Sequence, residues 1–255
     1  VADSDAAFVA NVSHELRTPL TTIQMAAEVL FESRSEFGAD ARRAAELLYA
    51  QVERFELLLA DLLEMSRFDS GAASLVTEDL ELRTLVGRVV ADLTPMAASA
   101  AVQLTVEAPA EEVVVDVDRV RVERVLRNLI VNAVTHGGGG AVRVLLSITL
   151  PGEVLPDSGI GPGKLPPNPA AGVLISVVDS GPGLPAEPER VFDRFWRADP
   201  SRARDTGGAG LGLAIAAEDA ALHGGVLRAQ GNEDGGSTFL VWLPGRIEPG
   251  STDSP

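Results

Sequence analysis

The stretch "RVERVLRNLIVNAVTHG" (residues 121–137) decides the fold of the longer part of this chain. Val122, Leu126, Leu129, Ile130 and Ala133 recur at steps of three and four, the repeat of one buried helix face. Asn128 and Asn132 stand four apart on the other side. Two amides one turn apart are costly as decoration on a helix otherwise apolar and charged. As oxygen donors for Mg²⁺ and partners for phosphate they make chemical sense.

Outward from this helix the pattern alternates irregularly. Residues 82–100 read as helix, "VQLTVEA" and "EVVVDV" as strands, and 119–135 as the asparagine helix. "AVRVLLSITL" and "GVLISVVDS" are β-branched strand runs, "GLGLAIAAEDAALHG" is a helix, and "VLRAQGN" with "STFLVWLP" forms a closing hairpin. Such an order predicts helices on one face of a mixed sheet, an α/β two-layer sandwich. The Pro/Gly-rich segment 151–172 reads as a disordered hairpin insert without function, and 245–255 as a frayed tail.

Upstream the period is purely helical. Phe8, Val12, Leu16, Leu20, Ile23, Ala27 and Leu30 predict a helix over 5–34. Ala44, Leu47, Leu48, Val52, Phe55, Leu58, Leu59, Leu62 and Met65 predict a second over 40–68, after the break at "SRSEFGAD". Each helix would be about 45 Å long. A lone hairpin of this kind leaves half of each stripe wet, so it is expected to pair with a second copy as a dimeric four-helix bundle. The expected domains are an all-α hairpin over 1–70, a linker over 71–80 and the sandwich over 81–244.

Bulk composition narrows the functions. A net charge of −16 disfavours a nucleic-acid partner, and the absence of cysteine removes disulfides, thiolate metal sites and a Cys nucleophile. No apolar run is long enough to span a membrane. Residue 1 is Val, so the chain reads as part of a longer protein whose membrane segment, if any, lies outside it.

Three glycine-rich stretches fall in the second domain: "DSGPG" (179–183), "GGAGLGLAIA" (207–216) and "DGGSTF" (234–239). "GAGLG" lacks the Lys-Ser/Thr of a P-loop and opens no βαβ unit. It does run straight into an apolar helix near Leu211, which would aim several backbone N–H groups at one spot, a place for phosphate. Alone, the glycines read more readily as turns than as a site. Asp179 ends a buried strand before a Gly turn, where a carboxylate needs a donor such as an exocyclic amine. Far upstream, His14 and Glu15 in "NVSHELRTPL" (11–20) are either a surface pair or a nucleophile with its base.

Taken in order, these blocks resemble those of two-component sensor histidine kinases. "SHELRTPL" is similar to the phosphoacceptor box, "NLIVNAVTH" to the N box, "DSGPG" to G1, "VFDRFWR" (191–197) to the F box, "GAGLGLAI" to G2 and "GGSTF" to G3. "FWRADPSR" and "EDAALHGG" further resemble an actinobacterial branch of the family. The resemblance implies a sandwich of the Bergerat ATP-binding fold, with ATP and Mg²⁺ as ligands. Asp179 would bind the adenine amine, with Gly181, Gly183 and Thr238 around it. Asn132 would hold Mg²⁺ and Asn128 would support it. Gly208, Gly210, Leu211 and Gly212 would approach the phosphates, and 193–209 would form a lid. Arg197 would supply positive charge to the phosphates or simply be solvated. His136 would stack on adenine or cap its helix.

The resemblance also implies autophosphorylation of His14 with Glu15 as base, transfer to the aspartate of a response regulator, and a phosphatase step using Thr18. An unperturbed imidazole titrates near 6.5, so about three-quarters is neutral and nucleophilic at pH 7. Pro19 lacks an N–H and would loosen the helix beside His14. ATP-hydrolysing relatives carry a Glu where this chain has Asn128, which cannot take a proton from water. A nucleotide-gated scaffold or a Bergerat-fold ATPase are the competing readings. The implied setting is the cytoplasmic portion of a membrane sensor that dimerises through its hairpin. Two departures from the family pattern stand out: Thr135 where a cation is usual, and Ala209 where a hydroxyl is usual.

Overall fold

The computed structural model describes residues 18–153, 159–163, 170–198 and 209–245. The described chain divides into two compact units, the second beginning at Ser74. In the first, a helix over 18–32 (α1) leads through a 3₁₀ turn at Ser33–Glu36 into α2, Ala39–Asp69. The turn falls where "SRSEFGAD" interrupts the apolar repeat, and Gly38 caps α2 in an extended conformation. Phe31 and Tyr49 stack at 4.5 Å between ring centroids across the bend, with the Arg34 guanidinium 3.9 Å above the Phe31 ring.

Only part of each stripe is buried within the hairpin. Leu20, Ala27, Val52 and Met65 are buried, whereas Ile23, Leu30, Leu47, Leu48, Phe55 and Leu62 are exposed. A row of exposed aliphatic and aromatic side chains on two long helices is the mark of a surface that awaits a partner.

The second unit begins with β1 (Glu78–Glu81), which runs directly into α3 (Leu82–Ser99). Glu81 caps α3, accepting from the amides of Arg83 and Thr84 at 3.1 and 2.6 Å. Next come β2 (Val102–Glu107), β3 (Val114–Val117), α4 (Arg119–His136), β4 (Gly140–Thr149), β5 (Gly172–Asp179), α5 (Gly212–Leu222), β6 (Val226–Gly231) and β7 (Ser237–Pro244). β1 and β3 pair antiparallel as a separate ribbon. The main sheet has the order β2-β4-β5-β7-β6, with β2–β4 parallel and the other pairs antiparallel.

Its inward face is set by register. Val144 pairs with Val177 and Val177 with Phe239; Ile175 pairs with Val241 and Val241 with Leu227, so the alternating apolar positions fall on one side. Leu126, Leu129, Ile130, Val86, Val89 and Ala216 from the three helices close over that side in one core. The two-layer architecture is the expected one.

The opposite face holds a smaller cluster of Val226 and Trp242 with Leu174 against it. The Trp242 indole donates to Thr149 Oγ1 at 3.0 Å, and a Cβ on Gly172 would lie 2.7 Å from that indole nitrogen. Gly172 is therefore the gap through which the indole reaches its acceptor.

The segment 151–172 departs from its expected reading. Ile160 exchanges two 2.8 Å backbone hydrogen bonds with Ala229, and Arg228 donates to the Gly161 carbonyl at 3.0 Å. This part of the insert covers the open edge of β6, an edge that would otherwise expose unpaired backbone groups. A Cβ on Gly161 would sit 2.3 Å from the Leu227 carbonyl, so glycine permits the approach. The Pro/Gly composition that suggested disorder partly reflects this close edge pairing.

Candidate nucleotide and phosphotransfer site

Helix α4 is started by Asp118, whose Oδ1 accepts from the Arg121 amide at 3.1 Å. Burial by itself would raise the pKa of Asp118. Hydrogen bonds from the Val76 and Arg121 amides, together with the Arg121 charge, outweigh it and hold the carboxyl below its ordinary value. For a carboxyl with a depressed folded pKa, the stabilisation is present above the unfolded pKa and is lost as pH falls through the folded one. The gap in urea midpoint between the parent chain and Asp118→Asn is therefore expected to be constant near neutrality and to shrink below about pH 4. A gap that persists undiminished to low pH would contradict the ionised cap.

Along α4 the predicted stripe is buried and is joined by Val125 and Val134. Asn128 is committed: its Nδ2 donates to the Gly212 carbonyl at 2.9 Å, and a Cβ on Gly212 would lie 3.2 Å from its Oδ1. The side chain of Asn132, one turn on and half-buried, makes no hydrogen bond among the described residues. Its amide oxygen is the donor left available on this helix, and a hard cation that keeps water and phosphate oxygens as its other ligands suits such a donor. His136 is exposed in the last turn of α4, ahead of Gly137.

Asp179 ends β5, 5% exposed. It does not lack protein donors, contrary to expectation. Oδ1 accepts from the amides of Gly181 (2.9 Å) and Ser237 (3.2 Å), and Oδ2 accepts from the Ser237 hydroxyl. A carboxylate offers about four lone-pair sites, so one remains, on Oδ2.

The glycines around it are spacing devices. A Cβ on Gly181 would lie 2.7 Å from Gly137 Cα, and one on Gly236 2.0 Å from the Asp179 carbonyl. Gly183 has φ +84 and approaches the Gly236 carbonyl. The G1 turn, the end of α4 and the start of β7 thus share one tight corner.

Thr238 is not part of it. It pairs in register with Val178, on the sheet face opposite Asp179, and donates to Asn232 Oδ1 at 2.8 Å. Ser237, one residue earlier, takes that place. The period of two along a strand carries the correction: neighbours in sequence point to opposite faces.

Gly210 (φ +74) accepts at its carbonyl from the Phe195 amide at 2.9 Å, and a Cβ there would meet the Trp196 carbonyl at 2.7 Å. The F box and the G2 turn are thereby joined backbone to backbone. The Leu211 side chain is buried, so it anchors α5 and leaves only its backbone for a ligand. Arg197 is half-buried and lines a groove with Arg190, Asp193, Arg194, Phe195 and Trp196. Thr18 is exposed at the start of the described α1. His14, Glu15 and Gly208 lie outside the described residues.

Sequence reasoning missed Asp219, fully buried and gripped by two arginines of α4. An aspartate on the inward side of the Ala-rich run "GLAIAAEDAAL" was the available signal. His223 caps the C-terminus of α5 and also ties it to α4, its ring accepting from the Asp118 amide through Nε2 at 3.0 Å and lying 2.7 Å from the Asp219 carbonyl through Nδ1.

A helical hairpin followed by a two-layer sandwich with this cradle defines a kinase core that pairs a phosphoacceptor unit with an ATPase-type unit. Residues 4–71 match the His Kinase A (phospho-acceptor) domain, and residues 117–247 match the histidine kinase-, DNA gyrase B- and HSP90-like ATPase family. The chain belongs to the histidine kinases of this family. It is 44% identical over 238 residues to sensor histidine kinase MtrB of Mycobacterium tuberculosis, covering 93% of this chain and 38% of that protein. It is 35% identical over 243 residues to sensor histidine kinase WalK of Bacillus subtilis, covering 94% of this chain and 37% of the other. The chain thus spans under two-fifths of these relatives' length.

Among solved structures, full-length ShkA in complex with AMPPNP superposes with a TM-score of 0.74 at 24% identity, over 95% of this chain and 46% of that one. Acinetobacter baumannii histidine kinase AdeS gives 0.60 at 21%, over 91% and 98%. Both likenesses bear on the fold. No helix among the described residues is long and apolar enough to cross a membrane.

Proposed function

We propose that this chain is the kinase core of a two-component sensor that phosphorylates its own His14 from ATP and passes the phosphoryl group to an aspartate of a response regulator. The observation that carries the reading is the Asp179 carboxylate, with three protein donors and one acceptor site left, beside the G1 turn. An exocyclic amine fits that site; a carbonyl would be repelled by it. The nucleotide seen in the ShkA structure belongs to that protein and supports the same ligand class here.

In this reading Asn132 would hold Mg²⁺ through its amide oxygen, and the ion would supply positive charge against the phosphates. Asn128 keeps α5 and its Gly210–Gly212 turn against α4. Arg197 is the described lid-side cation closest in sequence to the phosphate segment. His14 supplies the lone pair that forms the N–P bond, the bond from the γ-phosphorus to the ADP oxygen breaks, and Glu15 accepts the remaining ring N–H and shares the positive charge. Asn128 has no base to activate water, which favours transfer over hydrolysis. Two copies of the hairpin bury the stripe that one leaves exposed. The chain is read as the cytoplasmic part of a membrane sensor, as its resemblance to MtrB suggests.

Incubation with Mg²⁺ and ATP labelled in the γ-phosphate tests this. The expected product is protein-bound label that is acid-labile and base-stable. Acid-stable label, or free phosphate alone, would overturn it.

Thr18, one turn after His14, is proposed to orient the water that dephosphorylates the regulator. In Thr18→Ala, autophosphorylation is expected to stay near the parent rate, while decay of the phospho-regulator slows on the order of tenfold or more. Equal loss of both activities would remove the assignment.

A further inference from the structure

Three ties join α5 to α4 in antiparallel register. At one end Asn128 holds the Gly212 carbonyl. At the other His223 holds the Asp118 amide. Between them lies Asp219, with no exposed surface: Oδ1 accepts from Arg121 Nη1 and Arg124 Nη2, and Oδ2 from Arg124 Nε, all at 2.7 Å.

Two members of this cluster also hold the incoming chain. Arg121 Nε donates to the Ser74 carbonyl at 3.2 Å, and the Val76 amide donates to Asp118 Oδ2 at 2.9 Å. Ser74 is where the second unit begins.

A buried ion cluster is a poor source of stability compared with apolar packing of the same volume, but it fixes geometry. Here geometry is what packing leaves open. The buried faces of α5 are largely alanine (Ala214, Ala216, Ala217, Ala220), and small side chains give shallow ridges that resist sliding weakly. A planar two-point grip on Asp219 removes both sliding and rotation.

We propose that Asp219 is a positioning residue for nucleotide binding. Clamped by Arg121 and Arg124, it sets the axial register of α5, and with it of Gly210–Gly212, against α4. Because Arg121 and Asp118 also hold Ser74 and Val76, the linker becomes a handle on that register. The inference rests on the proposed reading that a nucleotide lies at the Gly210–Gly212 turn.

The experiment uses the whole chain and measures ATP Kd, labelling rate at saturating ATP, and the urea midpoint. Asp219→Asn is expected to weaken ATP at least about tenfold while the rate at saturation changes little. Asp219→Glu, which keeps the charge, should recover most of the affinity. Val76→Pro removes the linker N–H that Asp118 accepts, at an exposed residue; it should weaken ATP about threefold to tenfold, while its urea midpoint, lowered by no more than the lost bond, still shows a folded chain. Val76→Ala, which keeps that N–H, should match the parent.

Parent affinity in a folded Asp219→Asn chain overturns the register role. If that variant does not fold, Arg124→Lys, which keeps the charge and loses the fork, decides in its place. Parent affinity in Val76→Pro overturns the linker's part. A parent chain that binds no ATP sinks the nucleotide reading and this proposal with it, an outcome distinct from intact binding that the variants leave unmoved.

Discussion

A His14→Gln chain is expected to take up no phosphoryl group, a fall of at least roughly 10³-fold, while binding ATP as the parent does. Glutamine keeps the length and polarity of the side chain but has no basic nitrogen, and its amide lone pair is delocalised into the carbonyl. The residues proposed for the nucleotide, Asn132, Asp179 and Gly210, belong to the other compact unit. Titration of the variant with a fluorescent ATP analogue, alongside the labelling assay, separates the two roles. Residual acid-labile label in the variant would place the acceptor elsewhere. Loss of binding together with labelling would instead give His14 a part in the fold.

Asp179→Asn carries the second large effect. The three protein donors now on this carboxylate are compatible with an amide: its oxygen accepts from the Gly181 and Ser237 amides, and its NH₂ turns toward the Ser237 hydroxyl, which accepts. The G1 corner is therefore retained. The site left for the ligand changes sign, because an N–H now faces the adenine amine. Loss of a charge-assisted hydrogen bond plus a donor–donor clash amounts to about 2.7 kcal/mol, or roughly 100-fold in Kd. The same N–H suits a 6-oxopurine, so the ratio of inosine to adenosine triphosphate affinity should rise. Unchanged ATP affinity in a folded Asp179→Asn chain would remove the adenine assignment. A fall without the change in base preference would point to a collapsed corner rather than to lost recognition.

Both predictions lean on residues that could be found before any coordinates existed. His14, Asn132 and Asp179 are singled out by residue type and spacing, but their roles are what the resemblance of the ordered blocks implies; alone, the His-Glu pair ahead of Pro19 reads more readily as a surface pair. Helix and strand positions were legible from residue type and spacing too. The stripe on α4 and the β-branched run of β5 extend over a few residues and are read directly as buried.

Elsewhere local reading stopped short. Thr238 and Ser237 are equally plausible polar neighbours of a glycine turn, and only the register of β7 against β5 shows that Ser237 faces Asp179. The Pro/Gly insert carries no periodic signal, so its pairing with β6 at Ile160 became visible only with the sheet assembled.

What this chain declares by itself is therefore everything governed by short-range repetition: a two-helix hairpin, a helix-backed sheet, the glycine turns and the residue types of a phosphoryl-transfer site. Tertiary structure alone decided which polar groups meet across long separations. Asp219 finds Arg121 and Arg124 from 98 and 95 residues away, and His223 finds Asp118 from 105. Such pairings depend on where whole helices come to rest against one another. That placement follows from burial summed over the entire core, and no local spacing records it.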